Sequence, residues 1–336
     1  MIPFELTLIL VPAFFLDLIL GDPHYKLHPI RLMGGCIAFF TTGLKRLGLY
    51  TKAGGILLVG MVAGTFLIPY WTLAAVFHHI HGLLGLGFDV FMVYSCLALK
   101  DLFSHTDRVI QALERNHLSR ARKGIALVVG RDVRTLDETG VSRAAIETLA
   151  ENFVDGFLSP IFWYVSGGLL GYVLGVSPVA TAVSLMLVFK VISTLDSMVG
   201  YKNVEYVRFG WAGARGDDVM NFLPARVSLV ILFIGAWICR CHAPAGLRTA
   251  LRDRLKHESP NAGHPESFMA GALNVRLGGP TLYPEGLKPK PWLGKAYPDP
   301  LPRHIRKAGA LLKSSAWAAM GISTLILLIL WYKDQF

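Results

Sequence analysis

Charge is scarce in this chain. Only 17% of its 336 residues are Asp, Glu, Lys or Arg, against about 25% in a soluble domain, so a surface lying wholly in water is excluded. Cysteine is scarce too. Cys36, Cys96, Cys239 and Cys241 form no CxxC pair and no regular framework, which excludes a disulfide scaffold and reads as reduced, structural thiols. The Cys239-x-Cys241-His242 run supplies too few ligands for a closed zinc site. Nucleotide and nucleophile signatures are missing: there is no GxxxxGK(S/T), no strand-borne GxGxxG and no GxSxG. Long runs of like charge are missing as well. The net charge of +10 is spread among acids, which points away from nucleic acid and toward basic membrane-flanking loops or sites for anionic ligands.

What the chain does have is apolar length: 53% of its residues are hydrophobic. A membrane-crossing helix needs about 20 mainly apolar residues. The segments 4–20, 54–77, 83–99, 157–176, 178–192 and 308–332 meet or approach that demand. The first carries Glu5, Pro12 and Asp17 and lacks a positive n-region, so it reads as a retained span. Between Arg226 and Arg240 only 13 uncharged residues remain, so 227–239 reads as re-entrant or buried in protein. Lys and Arg gather in 21–53, 100–156, 193–226 and 240–307, while the turns near 78–82 and 177 carry neither. The positive-inside rule then places the four basic segments in the cytoplasm. The expected fold is all-α: one polytopic membrane helical bundle with large cytoplasmic loops that contain amphipathic helices.

Ionisable groups at membrane depth are costly and are functional candidates. Asp17 is the main one. Asp89 has a weaker case, because Gly85 and Gly87 beside it suggest a break. His78, His79 and His81 read as a polar cap on the second span.

Four polar clusters carry the chemistry. In the first, Asp17 to Gly35, Gly21-Asp22-Pro23 and His28-Pro29 are turn dipeptides that hold Asp22, His24, His28 and Arg31 close. In the second, Arg131 to Pro160, Ser142 reads as the N-cap of a helix running to about 155. Glu147, Glu151 and Asp155 then lie on one face at i, i+4, i+8. Such repulsion is relieved by a cation: Mg²⁺, or an Arg. In the third, Ser193 to Ser228, Asp217, Asp218 and Asn221 share a helical side and Arg215 and Arg226 bracket them. Adjacent acids suit metal–phosphate ligation, and Arg suits bidentate phosphate contact; Arg–Asp salt bridging is the plainer reading. In the fourth, Glu258 to Gly286, Ser259-Pro260-Asn261 and Gly263-His264-Pro265 lead into a short helix from about Glu266, ended by Gly278-Gly279-Pro280. Backbone amides at such a helix start can hold an anion.

Taken in order, the blocks GDPHYKLHPIRLMG, AIETLAENFVDGFLSPIFW, LDSMVGYKNVEYVRFGWAGARGDDVMNFLPAR and SPNAGHPESFMAGALNVRLGG resemble the adenosylcobinamide-phosphate synthase family of cobalamin biosynthesis, the CobD/CbiB membrane proteins. Gly216, Ser193 and His264 depart from that family's usual residues. The resemblance implies an ATP-driven carbon–nitrogen ligase. It would join a propionate carboxyl of adenosylcobyric acid to aminopropanol or aminopropanol phosphate, in the bacterial inner membrane, beside late enzymes of the pathway. A compatible mechanism gives Asp217, Asp218, Glu147 and Glu151 to Mg²⁺, and Arg31, Arg215, Arg226, Asn221 and Asn261 to ATP. Asp22 or His28 would take the ammonium proton. The competing expectation is a polytopic transporter for a corrinoid or a metal ion. Transporters tend to show repeated halves, and no repeat of useful length is visible here.

Overall fold

The computed structural model describes residues 2–22, 25–201, 203–283 and 286–333; His24 and Lys202 lie outside them. Helices carry the fold, and the four strands among the described residues are two or three residues long. The chain divides into two compact units, Met1–Ala98, Ser159–Met220 and Gly321–Phe336 in unit 1, and Leu99–Leu158 and Asn221–Met320 in unit 2.

Numbered in chain order, unit 1 holds α1 (Ile2–Leu20), α2 (Pro29–Arg46), α3 (Lys52–Ile80), α4 (Gly82–Ser95), α8 (Ser159–Leu174), α9 (Pro178–Val199) and α10 (Trp211–Met220). Capping residues set several starts. Thr51 accepts the Gly54 N–H ahead of α3, and Ser177 accepts the Ala180 N–H while Pro178 opens α9. The α8–α9 hairpin closes on glycine: a Cβ on Gly167 would stand 2.6 Å from the Thr181 carbonyl oxygen, so only a bare backbone lets the helices approach this closely. The amphipathic α2 turns Met33, Ile37 and Leu44 into a core shared with Leu58 and Val62 of α3 and Val191, Leu195 and Val199 of α9. Its basic end stays outside, where Lys45 Nζ meets Glu205 at 3.0 Å.

Unit 2 holds α5 (Leu99–Glu114), α6 (Leu118–Ile125), α7 (Glu138–Phe153), α11 (Phe222–Ile238), α12 (Ala243–Asp253), α13 (Gly263–Leu273) and the first part of α14 (Pro302–Lys333). The strand β1 (Leu277–Gly278) pairs antiparallel with β4 (Trp292–Leu293), and β2 (Thr281–Tyr283) with β3 (Gly286–Lys288).

Among the described residues, six helical stretches are long and apolar enough to cross a membrane: Lys52–Ile80, Gly82–Glu114, Glu138–Leu174, Pro178–Val199, Trp211–Ile238 and Pro302–Tyr332. This is the helical, multi-pass fold that the composition implies. Two details differ from the sequence reading. Helix α7 starts five residues earlier than expected. Asp137, not Ser142, is its N-cap, accepting the Gly140 N–H at 2.7 Å, and Ser142 is buried inside the helix. The short apolar run 227–239 is also not isolated. It belongs to α11, which follows α10 directly, and together they make a 28-residue stretch, so length no longer argues against a crossing there.

The histidines at the α3–α4 turn do more than cap. His81 Nδ1 accepts the Leu83 N–H at 3.2 Å and starts α4, but His78 Nε2 reaches Asp89 Oδ2 at 2.8 Å. Asp89 is fully buried and also accepts the Tyr70 hydroxyl at 3.0 Å. Gly85, which the sequence reads as a break, gives His78 room to reach Asp89, since a Cβ there would stand 2.3 Å from the imidazole.

Candidate functional site

The second polar cluster builds the wall of a cavity in unit 2. Glu147 and Glu151 lie one turn apart on α7, as their spacing requires. Arg131, in the segment leading to α7, forms a short charged hydrogen bond with Glu147 Oε2. Glu147 Oε1 accepts the Gly278 N–H at 2.6 Å. Arg131 thus sets a positive charge against the acidic face of α7. Asp155 sits in a π-helical turn, Val154–Leu158, and is absent from the cavity wall.

The opposite wall comes from the fourth cluster. Glu266, in the first turn of α13, is 4% exposed and faces the same cavity of about 220 Å³. Its nearest basic group is His257 Nε2 at 3.7 Å. Burial, and then the carboxylates of Glu147 and Glu151, push its pKa well above the ordinary carboxylate range; Arg131 and Lys290 oppose the shift. Burial, and then Lys290, hold His257 below its usual value. Lys290 Nζ donates to Tyr283 Oη at 2.7 Å. The loop that carries Lys290 is fixed by the β1–β4 pair and by Trp292, whose ring receives the guanidinium groups of Arg143 and Arg276 at 4.5 and 4.4 Å. Asp299 pairs with both arginines, which hold its carboxyl below the usual range.

A second polar junction lies at the start of α13. Arg226 Nη1 donates to Asn261 Oδ1 at 3.3 Å and to the Phe222 carbonyl at 2.7 Å. Arg254 packs at the same helix start: its carbonyl oxygen would lie 2.1 Å from a Cβ on Gly263. Among the described residues neither arginine has a carboxylate within ion-pair distance. Burial, and then Arg226 and Arg254, lower the pKa of His264 to about 4. Asn221 is buried at the head of α11.

The remaining expected residues lie in unit 1. His28 Nε2 stands 2.9 Å from Asp22 Oδ1, with His28 buried and Asp22 about one-third exposed. Arg31 is exposed on the first turn of α2. On α10, Arg215 Nη1 meets Asp218 Oδ2 at 3.2 Å, and Asp217 is half-buried. Among the described residues, no group of three or more His, Cys, Asp or Glu side chains is arranged to hold a metal ion.

Sequence reasoning paired Asp22 with His28 and placed Arg226 beside Asn261 in role. It missed Glu266, His257 and Lys290 as wall residues. The one available signal was Glu266 itself, an acid opening an otherwise apolar helix.

The family model for the CobD/Cbib protein matches residues 10–312. Cobalamin biosynthesis protein CobD of Pelobacter propionicus is 40% identical over 293 residues, covering 87% of this chain and 85% of that protein. Cobalamin biosynthesis protein CbiB of Salmonella typhimurium is 38% identical, covering 85% and 86%, and CobD of Geobacter metallireducens is 37% identical, covering 88% of each. No solved structure matches the chain.

Proposed function

Because the chain belongs to the CobD/Cbib family, we propose that it serves cobalamin biosynthesis as an ATP-dependent amide synthase. Its substrates are adenosylcobyric acid and an amino-alcohol, aminopropanol or its phosphate. The propionate carboxylate attacks the γ-phosphate of ATP, giving an acyl phosphate and ADP. The amine then attacks the acyl carbon, forming the amide and releasing phosphate and a proton.

The observation that carries this reading is the junction of Arg226 and Asn261, 3.3 Å apart at the start of α13. A guanidinium without a carboxylate partner, beside a helix start, favours phosphate oxygens. Asn221, buried at the head of α11, is assigned to the same nucleotide; Arg31 and Arg215 of unit 1 are proposed as further phosphate-binding groups. Neutralising charge on a transferring phosphoryl group is a large part of such catalysis.

Mg²⁺ in nucleotide sites takes one or two carboxylates and completes its shell with phosphate oxygens and water. The adjacent Asp217–Asp218 pair fits that demand, and these two residues would hold the ion, which supplies charge neutralisation to the phosphates. Glu147 is tied to Arg131 and Gly278, so its role here is to orient that wall, with Glu151 left as the further acid. His28, steadied by Asp22, accepts the proton that the amine must lose. The basic segments 21–53, 100–156, 193–226 and 240–307 face the cytoplasm, where ATP is available. Late cobalamin-pathway membrane enzymes are the proposed neighbours.

The test is direct. Purified protein in detergent is incubated with adenosylcobyric acid, aminopropanol phosphate, ATP and Mg²⁺, and products are read by mass spectrometry. Formation of the amide only when ATP is present supports the reading; no amide from active, folded protein refutes it.

A further inference from the structure

A second cavity of unit 2, of about 450 Å³, shares no lining residue with the Glu147–Glu266 wall. It opens where α11 ends and α14 begins. Helix α11 stops at Ile238, and the chain turns through Arg240, whose φ of +56° puts an arginine where glycine usually follows a helix. The Cys241 N–H donates to the Ala236 carbonyl at 2.8 Å and closes that turn. Arg240, Arg303 and Lys307 line the cavity and are exposed. Among the described residues none of the three has a carboxylate within ion-pair distance. The one acid among the described lining residues, Asp299, is paired with Arg143 and Arg276. Burial, and then Cys239, push the Cys241 thiol up to about 12, so its sulfur adds no negative charge at neutral pH. Such a wall attracts an anion.

Its position says which anion. Helix α11 completes the membrane-length stretch Trp211–Ile238, and α14 opens the stretch Pro302–Tyr332. The two helices close together just before the cavity: a Cβ on Gly235 would stand 2.8 Å from the Ser315 backbone nitrogen. From Ser314 to Tyr332, α14 carries no charge. Lys307 lies seven residues before that run, about 10 Å along the helix axis, at the depth of lipid headgroups rather than of acyl chains. On α11, Trp237 and Ile238 are 74% and 54% exposed immediately before the basic turn. An exposed tryptophan next to basic residues is the pattern of a membrane–water interface. Basic groups set at such a level between membrane helices receive lipid phosphates.

The geometry points to a headgroup site for an anionic phospholipid: the phosphodiester sits among Arg240, Arg303 and Lys307, and the acyl chains run along α11 past Ile238 and Trp237. The cavity has room for about fifteen waters at ~30 Å³ each, enough for a glycerophosphate headgroup. A zwitterionic lipid brings an ammonium group as well, and the wall's one acid already holds two arginines. Phosphatidylglycerol is therefore preferred over phosphatidylcholine. A soluble phosphate ester carries the same anion but gains nothing from the apolar rim at Trp237 and Ile238, so the lipid is the tighter ligand.

The experiment titrates delipidated, full-length protein in detergent with phosphatidylglycerol or phosphatidylcholine and reads bound lipid by native mass spectrometry. Arg303→Gln/Lys307→Gln removes two of the three charges, and Arg240→Gln gives an independent reading with one exposed side chain changed. Arg120→Gln/Lys123→Gln removes two charges from exposed positions on α6, outside the cavity. Melting temperatures in detergent check that each variant is folded. Wild type is expected to hold phosphatidylglycerol about tenfold or more tighter than phosphatidylcholine. Arg303→Gln/Lys307→Gln should weaken phosphatidylglycerol by about tenfold or more and Arg240→Gln by a smaller factor, while the α6 variant keeps wild-type affinity. Glycerol 3-phosphate at the lipid's own concentration should not displace it. Equal binding by wild type and the cavity variants overturns the proposal, and so does an equal loss in the α6 variant, which would make the effect one of net charge. Displacement by glycerol 3-phosphate would assign the cavity to a soluble phosphate and overturn the lipid site. None of these readouts uses ATP or a corrinoid, so they are independent of the amide-synthase reading.

Discussion

Glu147 Oε1 accepts the backbone N–H of Gly278, 131 residues further along the chain, at 2.6 Å. Gly278 has φ +71°, a left-handed conformation that glycine adopts without strain, and a Cβ there would meet the Pro291 carbonyl oxygen at 2.6 Å. One carboxylate thus ties α7 to the β1–β4 loop while its other oxygen holds Arg131.

Arg131→Gln should be the damaging half of that pair. It leaves Glu147, with a side chain 6% exposed, as a buried charge without its cation, a loss of about 3–5 kcal/mol. Glu147→Gln keeps an acceptor for Gly278 but strands Arg131. The double variant Arg131→Gln/Glu147→Gln should cost less than the sum of the singles. Thermal unfolding in detergent, arranged as a double-mutant cycle, measures the difference.

Asp89 joins the α3–α4 hairpin through Tyr70 and His78. Asp89→Leu removes the acceptor from Tyr70, which is 2% exposed, and should cost about 1–3 kcal/mol for that hydroxyl alone. Adding Tyr70→Phe to the Asp89→Leu protein removes the stranded hydroxyl and should return part of the loss. A fluorescence-detected melting series on the four proteins checks this.

Glu266 binds its proton more tightly in the fold than in the unfolded chain, because burial and the facing Glu147 and Glu151 outweigh Arg131 and Lys290. Between the ordinary glutamate pKa and the raised folded value, the native state holds more protons than the unfolded one. Stability from this group is therefore complete at acid pH and falls as pH rises through that window. Glu266→Gln removes the titration, so its melting temperature should exceed that of wild type by an amount that grows from about pH 5 toward neutrality. Parallel melting curves across pH would contradict this.

Asp217→Asn should lower kcat for ATP-dependent amide synthesis by roughly 10²-fold, with little change in melting temperature because the side chain is half-exposed on α10. Steady-state rates at saturating substrates read the effect. Wild-type turnover in this variant would remove the metal role from Asp217.

Apolar length was legible in the sequence, and so were local turns. α3 and α9 begin within two residues of the expected spans because Thr51 and Ser177 are caps and hydropathy changes sharply there. Asp22 and His28 met as expected because only a turn separates them. The start of α7 was misplaced because Asp137 and Ser142 are both good caps by type, and only the burial of Ser142 decides between them. The length of the helical stretch around 227–239 was not legible, because α10, polar in its Arg215–Asp218 stretch, is followed directly by α11. The cavity was least legible. Arg131, Glu147, Glu266, Gly278 and Lys290 come from segments up to 159 residues apart, and no local spacing announces that they face one space.

The central claim is that ATP activates the corrinoid carboxyl as an acyl phosphate. The most direct measurement places ¹⁸O in the propionate carboxyl of adenosylcobyric acid and follows it through one turnover with ATP, Mg²⁺ and aminopropanol phosphate. When amine displaces phosphate from the acyl group, one carboxyl oxygen leaves with that phosphate. The expected result is amide product together with ¹⁸O in inorganic phosphate. Amide formation with ¹⁸O in AMP, or with no label transferred to any phosphate, would contradict it.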